Sequence, residues 1–310
     1  MALNLWSWTD PHNQPQVGVS MGPQRDKVLD LSLVSPELQS VDAVWKRWQD
    51  PETRYQALLE ALSKHSQRLN LETVSLRVPV DVQECWAAGV TYEMSRDARV
   101  EETEGAERFY RYVYEAKRPE IFFKAPGSRM VGPDAYVGLR TDSSWQVPEP
   151  ELTVILDPAG RIFGYTVGND MSSRDIEGEN PLYLPQAKLF HQSAAVGPSV
   201  VLAEGINLPE MTISMAILRE THVVFHGTVS IGRMRRPVSE LVDYLFRELP
   251  VAGWTALMTG TGLVPGAEFS LADGDEIAIT IDGIGTLRNV ARRIGHEWVE
   301  GLSLRTPGGT

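Results

Sequence analysis

Cysteine is nearly absent: Cys85 stands alone among 310 residues, which excludes intrachain disulfides and thiolate-clustered zinc sites. Positive charge is also short. The chain carries 29 Lys and Arg against 41 Asp and Glu, a net charge of −12. An acidic surface repels a phosphate backbone, so no nucleic-acid partner is expected. No apolar run approaches the ~20 residues that a helical membrane span needs, so no membrane partner is expected either. The start, MALNLWSWTDPHNQPQ, lacks a basic segment followed by an apolar one, which together with the lone thiol predicts a cytoplasmic protein. What is present suffices for a core: 42% of residues are hydrophobic, and the length admits two domains at roughly 100–200 residues each.

Residues 1–79 read as a small N-terminal α/β domain. VGVSM and KVLDLSLV are its strand-like pieces, and Val41, Val44, Trp45 and Trp48 recur at helical spacing. Asp50-Pro51-Glu52 marks the start of a second helix, with an N-cap acceptor followed by proline at the first helical position. From residue 80 to 305 the texture changes to strand-like runs separated by Gly and Pro, with one charged helical stretch near 93–117. The expected class is α+β, mostly β.

The stretch VPEPELTVILDPAGRIFGYTVGND, residues 147–170, carries the most chemistry. Asp157-Pro158-Ala159-Gly160 reads as the turn of a hairpin. Side chains alternate along a strand, so Glu149 and Glu151 share a face. With Pro158 and Ala159 as the two loop residues, Glu151 faces Thr166, Glu149 faces Gly168 and Val147 faces Asp170, which brings all three acids to one face. Glycines at 164 and 168 mark places where a bulge would change that register. Three crowded carboxylates require compensation, and an all-oxygen donor set selects a hard divalent ion, Mg²⁺ first, with Mn²⁺ or Ca²⁺ as substitutes. A solvated acidic strand face is the plainer alternative.

The ordered blocks PEPELTVIL, GYTVGNDMSSRD, LPQAK, Gly197-Pro198 and TGTGLVPG resemble the fumarylacetoacetate hydrolase superfamily over roughly residues 80–305. GVTYEMSRDAR, RPEIFFK and DIEGENPLYLPQAK resemble its 2-keto-3-deoxy-D-arabinonate dehydratase branch. The resemblance implies a mixed β-roll around Mg²⁺ held by Glu149, Glu151 and Asp170, with Lys188 as the active-site lysine. It implies a 2-keto acid substrate, elimination of water through an enolate to give 2,5-dioxopentanoate, and a homodimer or homotetramer. Carbon–carbon hydrolases of the superfamily carry a His–Glu pair in the segment after G-x-N-Y. Here that segment is GVTYEMSRDARVEE, and no histidine occurs between His65 and His191, which favours a lyase over a hydrolase or decarboxylase of an acylpyruvate or diketo acid.

Two groups are candidates for moving protons: Lys188, and Glu120 in RPEIFFK. Lys188 can alternatively balance the carboxylates, and Glu120 can form a rim salt bridge. Thr261 in Thr259-Gly260-Thr261-Gly262 can present its hydroxyl and neighbouring N–H groups to a substrate carboxylate, an ordinary tight turn being the alternative. Lys124 on IFFK can face the same cavity or lie along the sheet edge. Arg96 and Arg99, three apart, can clamp substrate from a helix or simply be solvated. Gly18-Val19-Ser20-Met21-Gly22 matches the nucleophile-elbow pattern without the preceding parallel strands it needs. Cys85, inside CWAAGV, is expected to be a buried inert thiol.

Overall fold

The computed structural model describes residues 2–72, 74–92 and 112–295. In chain order its strands are β1 (Leu3–Thr9), β2 (Pro15–Met21), β3 (Leu29–Asp30), β4 (Glu84–Gly89), β5 (Glu120–Pro126), β6 (Tyr136–Leu139), β7 (Gln146–Val147) and β8 (Pro150–Leu156). They continue with β9 (Ile162–Asp170), β10 (Ser172–Ser173), β11 (Ala194–Leu202), β12 (Thr212–Arg219), β13 (His222–Ser230), β14 (Thr255–Met258), β15 (Glu276–Ile281) and β16 (Gly285–Arg293). Nine of them form one sheet in the order β3-β2-β1-β11-β9-β8-β14-β4-β5, and five form a second, β13-β12-β15-β16-β6. No described helix is long and apolar enough to cross a membrane.

The two sheets pack through an apolar layer because their strands alternate. In β12, Ile213, Met215 and Ile217 are buried between half-exposed neighbours, and they meet Ile277, Ile279 and Ile281 of β15 and Leu152, Val154 and Val167 of the larger sheet. Each such side chain, fully buried, stabilises the fold by about 1.5–3 kcal/mol. The other face of the nine-stranded sheet is covered by helices α1 (Val41–Arg47) and α2 (Pro51–Lys64), whose Val41, Val44, Leu58 and Leu62 pack on Ile155, Phe163, Ala256 and Met258. Helix α2 begins where its sequence says: the Asp50 carboxylate accepts from Thr53 N–H, and Pro51 occupies the first turn.

The N-terminal strands build no sheet of their own. β1 runs antiparallel to β11, pairing Asn4 with Val201 and Trp6 with Ser199, so LNLWSWT extends the sheet that carries the acidic hairpin. Ser20 is a structural serine: its buried hydroxyl accepts from Trp6 Nε1 and donates to Gly22 O. The elbow reading fails on that ground as well.

The hairpin is present with its register moved by two residues. Glu151 faces Gly168, not Thr166, and Thr153 faces Thr166. Asp170 N–H donates to Glu149 O at 3.0 Å, which sets those two residues opposite one another. The turn supplies one residue of the shift, since Asp157 N–H donates to Arg161 O at 2.9 Å and three residues, 158–160, form the loop; a bulge between Ile155 and Leu156, where Gly164 and Ile162 bracket the extra Phe163, supplies the other. Gly164 has no room for a side chain, since a Cβ would lie 2.2 Å from Val201 O. A shift of two preserves the parity of every position, so all three acids still lie on one face.

Candidate metal centre

Glu149 and Glu151 lie at the start of β8, and Asp170 ends β9. All three are buried, and one ligand atom from each lies within 4.8 Å of the others. The end of β4, the turn after β14 and the helix α3 (Leu184–Lys188) close over them. The cavity at this point is lined by Ala88, Gly89, Val90, Phe122, Lys188, Gly260 and Thr261 with Glu149 and Asp170.

Three cations offset the three acids. Lys188 Nζ donates to Glu149 Oε2 at 2.9 Å, Asp170 Oδ2 at 3.1 Å and Ser172 Oγ at 2.5 Å. Lys124 Nζ pairs with Asp170 Oδ1 at 2.5 Å, and Arg174 Nη2 with Glu149 Oε1 at 2.9 Å. Glu151 is left with Gly260 N–H, donating at 2.6 Å to Oε2. Burial first, then the charges of Asp170 and Glu149, push its carboxyl well above the usual range. A divalent cation among the three acids would supply the charge that Glu151 lacks, and the all-carboxylate donor set suits Mg²⁺. The residues present therefore fit the expected ion.

The remaining candidates are distributed unevenly. Glu120 flanks the cavity: a Cβ on Gly89, a cavity-lining residue, would meet the Glu120 carboxylate at 2.0 Å. Thr261 lines the cavity, but its hydroxyl donates to Leu263 O at 3.0 Å and accepts from Leu263 N–H at 3.2 Å. The neighbouring Gly260 N–H serves Glu151, so these two groups of the turn hold the protein itself. Lys124 does not face the cavity. It is fully buried behind Asp170 and donates also to Met171 O and Lys188 O, and burial pulls its ammonium below the usual lysine range. Arg96 and Arg99 lie outside the described residues, as does most of the expected charged helix. Cys85 is buried, and burial pushes its thiol far up, as an inert thiol requires.

Sequence reasoning missed Arg174 and Ser172. The signal for both was the polar run Ser172-Ser173-Arg174, one residue beyond Asp170.

Residues 95–292 match the family model described as fumarylacetoacetate (FAA) hydrolase, C-terminal. The chain belongs to the fumarylacetoacetate hydrolase family. Within it, the chain is 50% identical over 213 residues to a probable 2-keto-3-deoxyxylonate dehydratase of Haloferax volcanii, covering 68% of this chain and 73% of that one. It is 43% identical over 237 residues to the 2-dehydro-3-deoxy-D-arabinonate dehydratase of Saccharolobus solfataricus, covering 75% and 77%. A solved 2-keto-3-deoxy-D-arabinonate dehydratase complexed with magnesium and 2,5-dioxopentanoate superposes with a TM-score of 0.76 at 33% identity, over 94% of this chain and 99% of that one. Maleylpyruvate hydrolase from Sphingobium, at 19% identity and a TM-score of 0.66, shares the fold of this hydrolase family.

Proposed function

We propose that this chain is a magnesium-dependent hydro-lyase that converts 2-dehydro-3-deoxy-D-arabinonate to 2,5-dioxopentanoate. The observation that carries the reading is its similarity, nearly end to end, to the dehydratase solved with magnesium and that product. The two curated relatives agree in chemistry. In a 2-keto-3-deoxy acid C2 is a ketone and C3 a methylene, so D-xylonate and D-arabinonate converge on one compound.

Glu149, Glu151 and Asp170 are the ligands in this reading. When bound, the ion supplies Lewis acidity to the keto and carboxylate oxygens of the substrate. Lys188 holds the ligands: an ammonium has three N–H bonds, and Glu149, Asp170 and Ser172 take all three. We therefore assign the proton movements to Glu120, whose carboxylate flanks the cavity over Gly89. It takes a proton from C3 and returns it to the hydroxyl leaving C4. One C–H and one C–O bond break, the C3–C4 double bond forms, and water departs. Transfer of a C5 proton to C3 then gives an enol that becomes the aldehyde. Thr261, at the cavity wall, contacts the bound substrate, and Arg96 and Arg99 are assigned to its carboxylate. The enzyme acts in the cytoplasm as a homodimer or homotetramer, which light scattering on the purified protein will test.

Proton NMR tests the reaction directly, with 2-keto-3-deoxy-D-arabinonate and acetylpyruvate each incubated with Mg²⁺ and with EDTA. Metal-dependent appearance of 2,5-dioxopentanoate, lost in Glu151→Gln, is the expected result. Cleavage of acetylpyruvate to acetate and pyruvate, with the sugar acid untouched, would make the chain a hydrolase instead.

A further inference from the structure

We infer that Thr91 is a positioning residue for the metal centre, acting through Gly260 on Glu151. The inference rests on the reading of Glu151 as a metal ligand. The Thr91 hydroxyl is buried and donates to Thr259 O at 2.6 Å, across 168 residues of sequence. Thr259 is itself tied to β8: its N–H and its hydroxyl both donate to Leu152 O, at 3.0 and 2.9 Å. The next N–H along the chain, that of Gly260, donates to Glu151 Oε2. Thr91 and Leu152 therefore grip Thr259 from two sides and aim the following amide at the carboxylate.

Two further features show that the contact is built in. Gly260 has φ +91, and a Cβ there would lie 2.1 Å from Thr91 Oγ1, so the hydroxyl occupies the space that the missing side chain leaves. Just past the end of β4, Val90 has φ +52, a left-handed conformation that costs a β-branched residue about 1–3 kcal/mol and persists only when its surroundings enforce it. Thr91 enforces it: its hydroxyl is held by Thr259, and its carbonyl accepts from Arg235 N–H at 3.0 Å. Val90 and Gly260 both line the cavity over the acids.

Among the described residues Glu151 has no ion-pair partner of its own, and the Gly260 N–H is the group that sets its orientation before the metal arrives. Loosening that amide weakens the metal site more than it weakens the fold. The test is Mn²⁺ binding to the metal-free enzyme without substrate, read by electron paramagnetic resonance. Thr91→Val removes the donor at nearly constant shape, and the Mn²⁺ dissociation constant is expected to rise about tenfold, the loss of one buried hydrogen bond. Thr91→Ser keeps the hydroxyl and is expected to stay within about twofold of wild type. At saturating metal the kcat of Thr91→Val recovers while its metal requirement stays high. Ser7→Ala is the control: Ser7 Oγ makes a buried bond of the same kind to Pro79 O at 2.7 Å, far from the acids. It is expected to lower the melting temperature with Mn²⁺ affinity unchanged. If Thr91→Val loses stability but binds Mn²⁺ as tightly as wild type, the inference is overturned, and Thr91→Ala serves the same purpose should the valine variant not fold. Failure of the dehydratase reading shows separately, as a wild-type enzyme that binds Mn²⁺ through Glu151 and leaves the sugar acid unchanged.

Discussion

Two of the places where the molecule buries charge are built differently. At the start of β8 and the end of β9, three acids and three cations share a web in which Lys188 and Lys124 each have three oxygen partners. On the helical side, Arg54 of α2 is 1% exposed and lies over the Phe163 ring at 4.5 Å. It reaches Glu204 at 3.3 Å and Trp48 O at 3.3 Å. That pair joins α2 to the turn that follows β11, and its spare groups, Arg54 Nε and Glu204 Oε2, have no hydrogen bond among the described residues. Both clusters balance their formal charge, so balance alone does not distinguish a site from a strut. The distinction is convergence: at the strands' end, carboxylate oxygens from three residues approach a common point beside a cavity, whereas the Arg54 pair closes on itself.

Removal of a converging oxygen should have the largest effect. Asp170→Asn is expected to lower kcat/KM by about a thousandfold or more, the scale of losing several kcal/mol of Lewis-acid stabilisation, and to abolish the Mg²⁺-dependent rise in melting temperature. Arg54→Met should do the opposite, costing about 3 kcal/mol in urea unfolding by stranding Glu204, while turnover and the Mg²⁺ shift persist. If Arg54→Met removes the Mg²⁺ shift as well, the two clusters are one unit. Lys124→Met tests the web from behind: it leaves Asp170 Oδ1 without its cation, and Mg²⁺ affinity by calorimetry should fall about 10–100-fold.

The smallest effect concerns pH. Burial raises the Glu204 carboxyl above its ordinary value despite Arg54. The folded chain therefore holds that proton at pH values where the unfolded chain has released it, and this group's contribution to stability falls as pH rises from the ordinary carboxylate value through the raised one. Glu204→Gln should flatten that part of the stability profile, measured by urea midpoints from pH 4 upward.

The acidic face was legible because a period of two is local: Glu149, Glu151 and Asp170 need only a hairpin to meet. Its register was not, since the bulge at Phe163 depends on how Gly164 packs against Val201, a contact from another strand. The start of α2 was likewise written locally, in Asp50 and Pro51. The partnership of β1 with β11 was not, because nearly two hundred residues separate Asn4 from Val201 and strand pairing at that distance leaves no mark in either segment. For Lys124, alternation gave the side of β5 but not the depth. Only the packing of Asp170, Met171 and Lys188 around it shows that the ammonium is enclosed.

The two-residue offset of the hairpin also says what kind of change this protein can accept. Lengthening or shortening the turn at 157–160 by two residues would return every side chain of β8 to its own side, so the acids would keep their orientation. A single inserted residue would send Glu149 and Glu151 into the layer now filled by Leu152 and Val154, and the apolar pair into the cavity, unless a bulge such as the one at Phe163 absorbed it. Descent with insertions at this turn should therefore proceed in even steps, or in odd steps matched by a bulge, a parity rule imposed by the pleat.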